Sequence, residues 1–210
     1  MRILLTGFEP FDGSSTNPSQ EVVRRLAECP LESIELYTAI LPVDHQLGPQ
    51  TLLQAIDDSQ PEAVVCLGEA SRRAMLSLER VAVNLVDDRL PDNSGEAWQD
   101  RPVVAGGPAA YFSTLPIKAM QRAILEAGVP VELSLSAGSY LCNQIAYTLL
   151  HYLTCQDGAE DIPAGFIHLP RLPVQAAEKK IAKPESGPIP SMGLEDQVRG
   201  VEAGLRVLVK

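Results

Sequence analysis

Cys142 is the residue whose position most strongly suggests chemistry. It follows the predicted strand Val131–Leu135 and lies at the start of the predicted helix Leu141–Leu153. The unpaired amides at a helix N-terminus stabilise an anion, so we expect them to lower the pKa of this thiol and to bind an oxyanion. Free cysteine is also often a small buried apolar residue, and position alone leaves both interpretations open.

A thiolate nucleophile needs a histidine partner, and the chain has three histidines. His168 ends a short apolar strand just before Leu169 and Pro170. His151 lies on the same predicted helix as Cys142, but nine residues along it is about 13 Å away. His45 suits the start of a helix better. His168 is therefore the favoured partner by elimination, and a core histidine bonded to backbone remains the alternative.

Glu79 is an acid inside an apolar stretch, Leu76–Val86, that predicts one strand. Strand interiors disfavour glutamate, so this residue needs an explanation. It fits the third group of a triad, which orients the histidine. From the residues alone, an ion pair with a neighbour such as Arg80, or a position at a sheet edge, is the favoured explanation.

The composition excludes several classes of function. The 210 residues include 17 Lys and Arg against 27 Asp and Glu, a formal net charge of −10, which argues against a general binder of nucleic acid or anionic membranes. No apolar run approaches the roughly 18 residues of a membrane span, and Met1–Gly7 is too short for a signal peptide. Four cysteines without CxxC spacing predict free thiols in a reducing cytoplasm. Metal and nucleotide motifs are missing from the sequence, so we expect no cofactor.

Strands alternate with helices along the chain, which predicts an α/β fold with a largely parallel central sheet. Met1–Leu5 is typical of a buried strand, and Asn17 followed by Pro18 predicts the start of a helix. We predict long loops over Val86–Val103 and Ala176–Met192. The sequence contains no repeat or boundary, so we expect one domain over residues 1–210.

Several segments resemble, in chain order, the motifs of the pyroglutamyl peptidase I family, the pyrrolidone-carboxylate peptidases. The segments are Thr6–Phe11 with Asn17–Ser19, Leu78–Asn84, Arg89–Asn93, Ser136–Asn143, Phe166–Pro170 and Pro190–Met192. Each match is weak by itself. Together they run in order over nearly the whole chain, which makes the resemblance specific.

The resemblance implies a cysteine peptidase that removes an N-terminal pyroglutamyl residue from peptides without a metal or organic cofactor. Carried over by position, it implies Cys142 as the nucleophile, His168 as the base and Glu79 as the residue that orients His168. It implies a single three-layer α/β/α domain with a twisted, mostly parallel mixed sheet, phosphorylase/hydrolase-like. The family is often tetrameric, so we expect a homo-oligomer, with Lys183–Pro190 as a candidate contact arm.

The resemblance also implies a pocket. Phe8 and Phe11 match the aromatic residues that hold the flat lactam ring of pyroglutamate, and Arg89 matches an arginine near the active site, which we assign to the oxyanion region. Two ring faces can bury a compact, mostly apolar lactam while a few backbone groups bind its polar atoms. We place Glu69 beside this pocket as a further substrate-binding residue.

The chain departs from the family pattern Gly-Gln-Ala-Gly-Gly-Arg over Gly68–Arg73. Glu69 replaces glutamine, and Ser71 and Arg72 replace glycines at positions where we expect backbone strain if φ is positive. The other departures are Asp12 in place of glycine and Asp88 in place of alanine. These changes keep two rivals open: a relative that cleaves another N-terminal or cyclic amide, and a non-catalytic binder of small molecules.

Overall fold

The computed structural model describes residues 1–159, 161–182 and 187–209, so residues 183–186 of the predicted contact arm lie outside the described residues. The strands are β1 (Arg2–Phe8), β2 (Glu35–Leu41), β3 (Ala63–Glu69), β4 (Leu76–Glu79), β5 (Val81–Val83), β6 (Ala110–Phe112), β7 (Val131–Ser134) and β8 (Ala164–Leu169). The helices are α1 (Pro18–Ala27), α2 (Leu47–Ser59), α3 (Ile117–Glu126), α4 (Leu141–Thr154), α5 (Pro173–Ala182) and α6 (Leu194–Arg206).

The central sheet has six strands in the order β2-β1-β3-β8-β4-β7. Neighbouring strands are parallel except for β4 and β8, which are antiparallel. Strands β5 and β6 form a separate antiparallel pair. The predicted α/β class with a mostly parallel, mixed central sheet is confirmed.

The sheet is covered on both faces because its central strands are apolar on both. In β3, Val65 and Leu67 pack into a core with residues of α1, α3 and α6. Val64 and Cys66 point the other way and pack into a second core with residues of α2 and α4. Successive side chains of a strand alternate between faces, so a continuous apolar run like this one holds helices on both sides of the sheet.

The predicted start of α1 is confirmed. The Asn17 side chain accepts a hydrogen bond from the Ser19 amide at 3.0 Å and donates one to the Glu9 carbonyl at 2.9 Å. Pro18 follows at the first helical position, where its missing N–H is not needed. Strand β1 runs to Phe8, three residues beyond the prediction, because its pairing with β2 continues that far. Asn17 thus ties the loop after β1 to α1.

The stretch Leu76–Val86, predicted as one strand, is two strands in two different sheets. The chain changes sheets at Arg80, whose amide donates to the Ser134 carbonyl and whose carbonyl accepts from the Ser113 amide. The strand-like pattern of this stretch is compatible with two short strands as well as with one long strand. The pattern does not reveal that the partner strand changes in the middle.

Helix α5 lies where the sequence predicts a loop. Pro173 suits the first turn of a helix, and the alanines, glutamate and lysines that follow are strong helix formers. The prolines after residue 183 obscure this short helix in the sequence. None of the helices in the described parts of the chain is long and apolar enough to cross a membrane.

Candidate active site

The thiol of Cys142 lies where α4 begins. Gly138 turns the chain ahead of the helix with a φ of 82°, and the N-cap residue Tyr140 makes no capping hydrogen bond through its side chain. Cys142 is the second residue of α4 and lies half-buried on the wall of a cavity of about 430 Å³. The amide N–H groups of the first turn therefore have no side-chain cap, and they lie at the same end of the helix as the thiol.

His168 and Glu79 form a buried pair across β8 and β4. Nδ1 of His168 lies 2.7 Å from Oε1 of Glu79. In the antiparallel register Glu79 is opposite Phe166, two residues before His168, so the two side chains are diagonal neighbours on one face of the sheet. His168 also lines the cavity that Cys142 lines. The structure thus brings together all three residues of the expected triad.

The pKa values of this pair fix the position of its proton. Burial tends to raise the pKa of Glu79, but the hydrogen bond from His168 and the neighbouring Arg73 outweigh burial and hold the pKa below its usual range. Burial lowers the pKa of His168, although Glu79 opposes this effect. At neutral pH Glu79 is therefore ionised and the imidazole neutral. Nδ1 carries the proton toward Glu79, and Nε2 is left with a lone pair.

The expectation that the helix end lowers the pKa of Cys142 is wrong. Burial, followed by the negative charges of Glu79 and Glu69, raises the pKa of the thiol to about 12. Arg73 and the Cys142 amide act in the opposite direction but do not outweigh these effects. The resting thiol is consequently neutral, and a base must remove its proton before it can attack.

Arg73 is part of the site, and the sequence analysis assigned it no role. Its guanidinium lies 2.6 Å from Oε1 of Glu79 and donates at 2.8 Å to the carbonyl of Ser136, in the turn before α4. A third hydrogen bond, at 3.2 Å, reaches the hydroxyl of Ser134. The sequence feature that could have identified Arg73 is its position at the end of the family motif over residues 68–73. Arg73 therefore links the end of β4 to the turn that precedes α4, the helix on which Cys142 lies.

Gly68 is the spacer between the nucleophile candidate and the sheet. It pairs with His168 in the register of β3 and β8. A Cβ at this position would lie 2.8 Å from the Cys142 sulfur and 2.7 Å from Cζ of Phe166. Only glycine allows α4 to approach the sheet this closely.

A small recess opens beside the thiol, and His168 does not line it. Phe8, from the end of β1, and Phe11, from the following loop, line it together with Cys142. The remaining lining residues are Asn17, Val43, Glu69, Tyr140 and Leu141. Phe8 is only 3% exposed, so it belongs both to the core and to the wall of the recess.

Glu69 lies in the site as expected, but its carboxylate is occupied. Nε of Arg171 lies 3.1 Å from Oε1, and the Gln175 side-chain amide donates to Oε2 at 2.9 Å. The same amide also reaches Ser14 at 3.2 Å, so it connects Glu69 to the loop after β1. The acid that replaces the family glutamine therefore has its own counter-ion on the segment leading into α5.

The other departures have clear structural outcomes. Asp12 has a φ of 52°, a conformation that suits the glycine usual there, and its carboxylate lies 3.2 Å from Nζ of Lys179. Ser71 and Arg72 do not have positive φ, so the expected backbone strain is absent there. Arg89 is exposed and lines the large cavity with Cys142.

A buried polar cluster lies behind the site, and the sequence analysis missed it. Nε2 of His45 lies 2.8 Å from the Asp88 carboxylate, with both side chains fully buried. The N–H direction is not aligned on that oxygen, so the contact is a close polar contact and not a well-formed hydrogen bond. On its other side, His45 contacts Gln144 of α4 at 2.7 Å, and Trp98 stacks on the ring at 4.5 Å. Asp88 is adjacent to Arg89, so the cluster links α4 to the loop that lines the cavity.

Removing this buried acid is expected to destabilise the protein. Asp88→Ala leaves Nε2 of His45 without the carboxylate it lies against and the Trp98 amide without the acceptor it reaches at 2.6 Å. We expect the free energy of unfolding, measured by urea titration, to fall by about 3 kcal/mol. The exposed neighbour Asp87 provides the control, since Asp87→Ala should change stability by less than about 0.5 kcal/mol.

A second variant keeps this prediction informative. His45→Phe combined with Asp88→Ala removes both polar groups and preserves an aromatic ring that can stack on Trp98. We expect the double variant to recover much of the lost stability, because replacing both partners of a buried polar contact by apolar groups is often nearly neutral. Equal stability of wild type and Asp88→Ala would contradict an energetic role for the pair.

A cysteine at a helix N-terminus that shares a cavity with a histidine–carboxylate pair is the arrangement of a cysteine hydrolase. Within the described ranges, no group of three or more His, Cys, Asp and Glu side chains is arranged to hold a metal ion. The site also lies at the carboxyl ends of β3 and β8, where α/β sheets usually bind ligands.

Comparison with known proteins defines the family. The family model for pyroglutamyl peptidase matches residues 1–210. The pyrrolidone-carboxylate peptidase of Gloeobacter violaceus is 45% identical over 208 residues, covering 99% of this chain and 97% of its own. That of Vibrio vulnificus is 44% identical over 201 residues, covering 96% and 89%. This chain belongs to the pyroglutamyl peptidase family of cysteine peptidases, as the sequence motifs predict.

Solved structures agree with this assignment. A mutant pyrrolidone carboxyl peptidase from the hyperthermophile Pyrococcus furiosus has a TM-score of 0.92 and 35% identity, covering 99% of this chain and 97% of its own. The enzyme of the keratin-degrading bacterium Fervidobacterium islandicum has a TM-score of 0.91 and 38% identity, covering 99% and 98%. The fold described above is therefore the fold of this family.

Proposed function

We propose that Cys142, His168 and Glu79 hydrolyse the amide bond that follows an N-terminal pyroglutamyl residue. Family membership supplies the reaction, the removal of N-terminal pyroglutamate from peptides. The observation that carries the residue assignment is the cavity shared by Cys142 and His168, with His168 bound to Glu79 at 2.7 Å.

The first step is a proton transfer coupled to attack. The Cys142 thiol is neutral at rest because its pKa is raised. Nε2 of His168 therefore takes its proton as the sulfur attacks the carbonyl carbon of the amide bond that links pyroglutamate to the next residue. The lowered pKa of His168 keeps the imidazole neutral and able to accept this proton. The ionised Glu79 then stabilises the imidazolium that forms.

The negative charge of the tetrahedral intermediate develops on the former carbonyl oxygen. We assign its stabilisation to the amide of Cys142 at the uncapped start of α4, where several N–H groups are free. Arg89 lines the same cavity and adds a positive charge. These groups are in place before the reaction, so they need no rearrangement when the charge appears.

The intermediate collapses when His168 gives its proton to the leaving amine. The amide C–N bond breaks, and pyroglutamate remains attached to Cys142 as a thioester. A water molecule then gives a proton to His168 and attacks the thioester. Pyroglutamate leaves, and the thiol recovers its proton from His168. Every proton in this sequence passes through one imidazole.

The recess between Phe8 and Phe11 suits the lactam ring. It opens directly at the Cys142 sulfur and is mostly apolar, as a compact five-membered ring requires. The Glu69 carboxylate is bound by Arg171 and Gln175, so we assign lactam contacts at this position to the Glu69 backbone. An acid can therefore replace the family glutamine without placing an unpaired charge against the substrate.

The substrate assignment is tested with three fluorogenic amides that differ only in the acyl group. We expect the pyroglutamyl amide to be hydrolysed at least about 100-fold more efficiently than the prolyl amide, which lacks the ring carbonyl and is charged. The open-chain glutamyl amide should be equally poor. Preference for the prolyl or glutamyl amide would favour a divergent relative, and binding of pyroglutamyl amide without turnover would favour a binder.

We further propose that the chain is one peptidase domain that forms a homotetramer in the cytoplasm. The exposed side chains of Phe112, Leu135 and Ile181 are apolar surface that assembly would remove from water, which supports an oligomer. The four cysteines are all free thiols, which favours a reducing compartment. Sedimentation at several protein concentrations tests the oligomer.

A further inference from the structure

Two cavities at the site suit different parts of the substrate. The recess that suits the lactam contacts Cys142 but not His168. The larger cavity contacts both residues. In the proposed function His168 gives its proton to the leaving amine, so the residue after pyroglutamate must lie on the side of His168. The larger cavity is therefore where the second residue of the peptide binds, and this inference rests on the proposed function.

The charged groups of the larger cavity are unevenly paired. Arg73 is bound to Glu79 at 2.6 Å, and Glu69 is bound to Arg171 at 3.1 Å. Arg72 and Arg89 also line this cavity, and both are exposed. Among the described residues, neither of these two arginines makes a salt bridge.

One carboxylate on the cavity wall opposes this positive charge. Asp87 lines the cavity and makes no salt bridge within the described part of the chain. Two unpaired cations against one unpaired anion leave the wall with a net positive charge. The chain as a whole carries −10, but charges beyond a Debye length of about 8 Å are screened at physiological salt. The local arginines therefore dominate what the second residue meets.

We propose that Arg72 makes this enzyme prefer an acidic side chain directly after pyroglutamate. Arg89, which lines the same cavity, contributes a potential of the same sign. Arg72 stands where the family motif has glycine, so the preference is a property of this chain and not of the motif. A long guanidinium side chain on an exposed turn can reach a carboxylate of the bound peptide without distorting the lactam recess.

The experiment compares three amidated peptides that differ only in the second residue: pyroglutamyl-Glu, pyroglutamyl-Gln and pyroglutamyl-Lys, each followed by Ala-Ala. Glu and Gln have nearly the same shape, so their ratio of kcat/KM isolates charge. We expect wild type to prefer Glu over Gln by about threefold to fivefold and Gln over Lys by a similar factor, as for a partly exposed ion pair. High salt should reduce both ratios toward one.

Variants assign the preference to one residue. Arg72→Gln should bring the Glu/Gln ratio close to one, and Arg72→Glu should invert it. Both changes are on the surface, so folding should be unaffected. Arg24→Gln is the matched control, because Arg24 is also an exposed arginine but lies on α1 and does not line the cavity, and it should keep the wild-type ratio.

The outcomes separate the two proposals. Equal turnover of all three peptides by wild type would overturn the charge preference and leave the proposed function intact. A preference that survives Arg72→Gln would also overturn the assignment to Arg72. Failure to cleave any pyroglutamyl peptide would overturn the proposed function itself.

Discussion

Cys142→Ala is expected to abolish hydrolysis of a pyroglutamyl amide. Removing the nucleophile of a triad lowers kcat by about a million-fold, since what remains is binding and oxyanion stabilisation. Cys142→Ser should be nearly as inactive, because a hydroxyl gives up its proton far less readily than a thiol. Release of a fluorophore from the amide measures both variants. Their melting temperatures should stay near that of wild type, because both substitutions keep or reduce the volume of a half-buried side chain.

Cys155 provides a closely matched control. Its exposed thiol follows the end of α4 and lies 3.8 Å from Nε2 of His151, so it also has an imidazole neighbour. We expect Cys155→Ser to keep full activity. Loss of activity in Cys155→Ser, or substantial turnover by Cys142→Ala, would move the nucleophile away from the site described above.

Glu79→Gln is expected to lower kcat by about a thousandfold to ten-thousandfold. The amide keeps the shape of the side chain but can present its NH₂ group to Nδ1 of His168, which favours the wrong tautomer. It also leaves Arg73 without the carboxylate it contacts at 2.6 Å. The imidazolium that forms during attack then faces an unpaired guanidinium in place of a carboxylate.

The same variant has a pH signature. In wild type the Glu79 carboxylate raises the pKa of His168 against the lowering effects of burial and Arg73. Removing its charge must therefore lower the pKa of His168. The base has to be neutral to act, so the acidic limb of the kcat/KM profile should move to lower pH.

The control for this variant is a glutamate in the neighbouring strand of the sheet. Glu132 of β7 accepts a hydrogen bond from Ser77 of β4 at 2.7 Å and does not contact His168. Glu132→Gln should keep both kcat and the pH profile. An unshifted acidic limb in Glu79→Gln, at near-normal kcat, would show that Glu79 does not act through His168.

Much of the fold can be predicted from local patterns. The apolar run of β3, the Asn17–Pro18 start of α1 and the start of α4 at Leu141 each depend on a few adjacent residues, and the structure has all three. The prediction fails where the sheet to which a strand belongs depends on a partner that is distant in the sequence. Nothing in Leu76–Val86 reveals that Arg80 bonds to two different segments, which split the stretch between two sheets.

The same difference between local patterns and distant partners applies to the candidate site. The residues alone favour an ion pair between Glu79 and a neighbour such as Arg80, or a position at a sheet edge. The structure instead pairs Glu79 with Arg73 and His168. The family motifs pick out Cys142, His168 and Glu79 because each motif is a local sequence, and the structure places Cys142 and His168 on one cavity with His168 bound to Glu79. The Arg171 counter-ion of Glu69 lies 102 residues away in sequence, so no local pattern could announce it.

The antiparallel β4–β8 pair has a consequence for how activity arises on a folding chain. It joins Glu79 and His168 across 89 positions of sequence, and closing a loop of that length costs about 4 kcal/mol of chain entropy. β8 lies between β3 and β4, yet it follows both in the chain. A growing polypeptide can collapse and form helices long before residue 168 is synthesised, but it has no histidine–carboxylate pair until then. The return of activity after denaturation consequently requires that β8 has taken its place between β3 and β4.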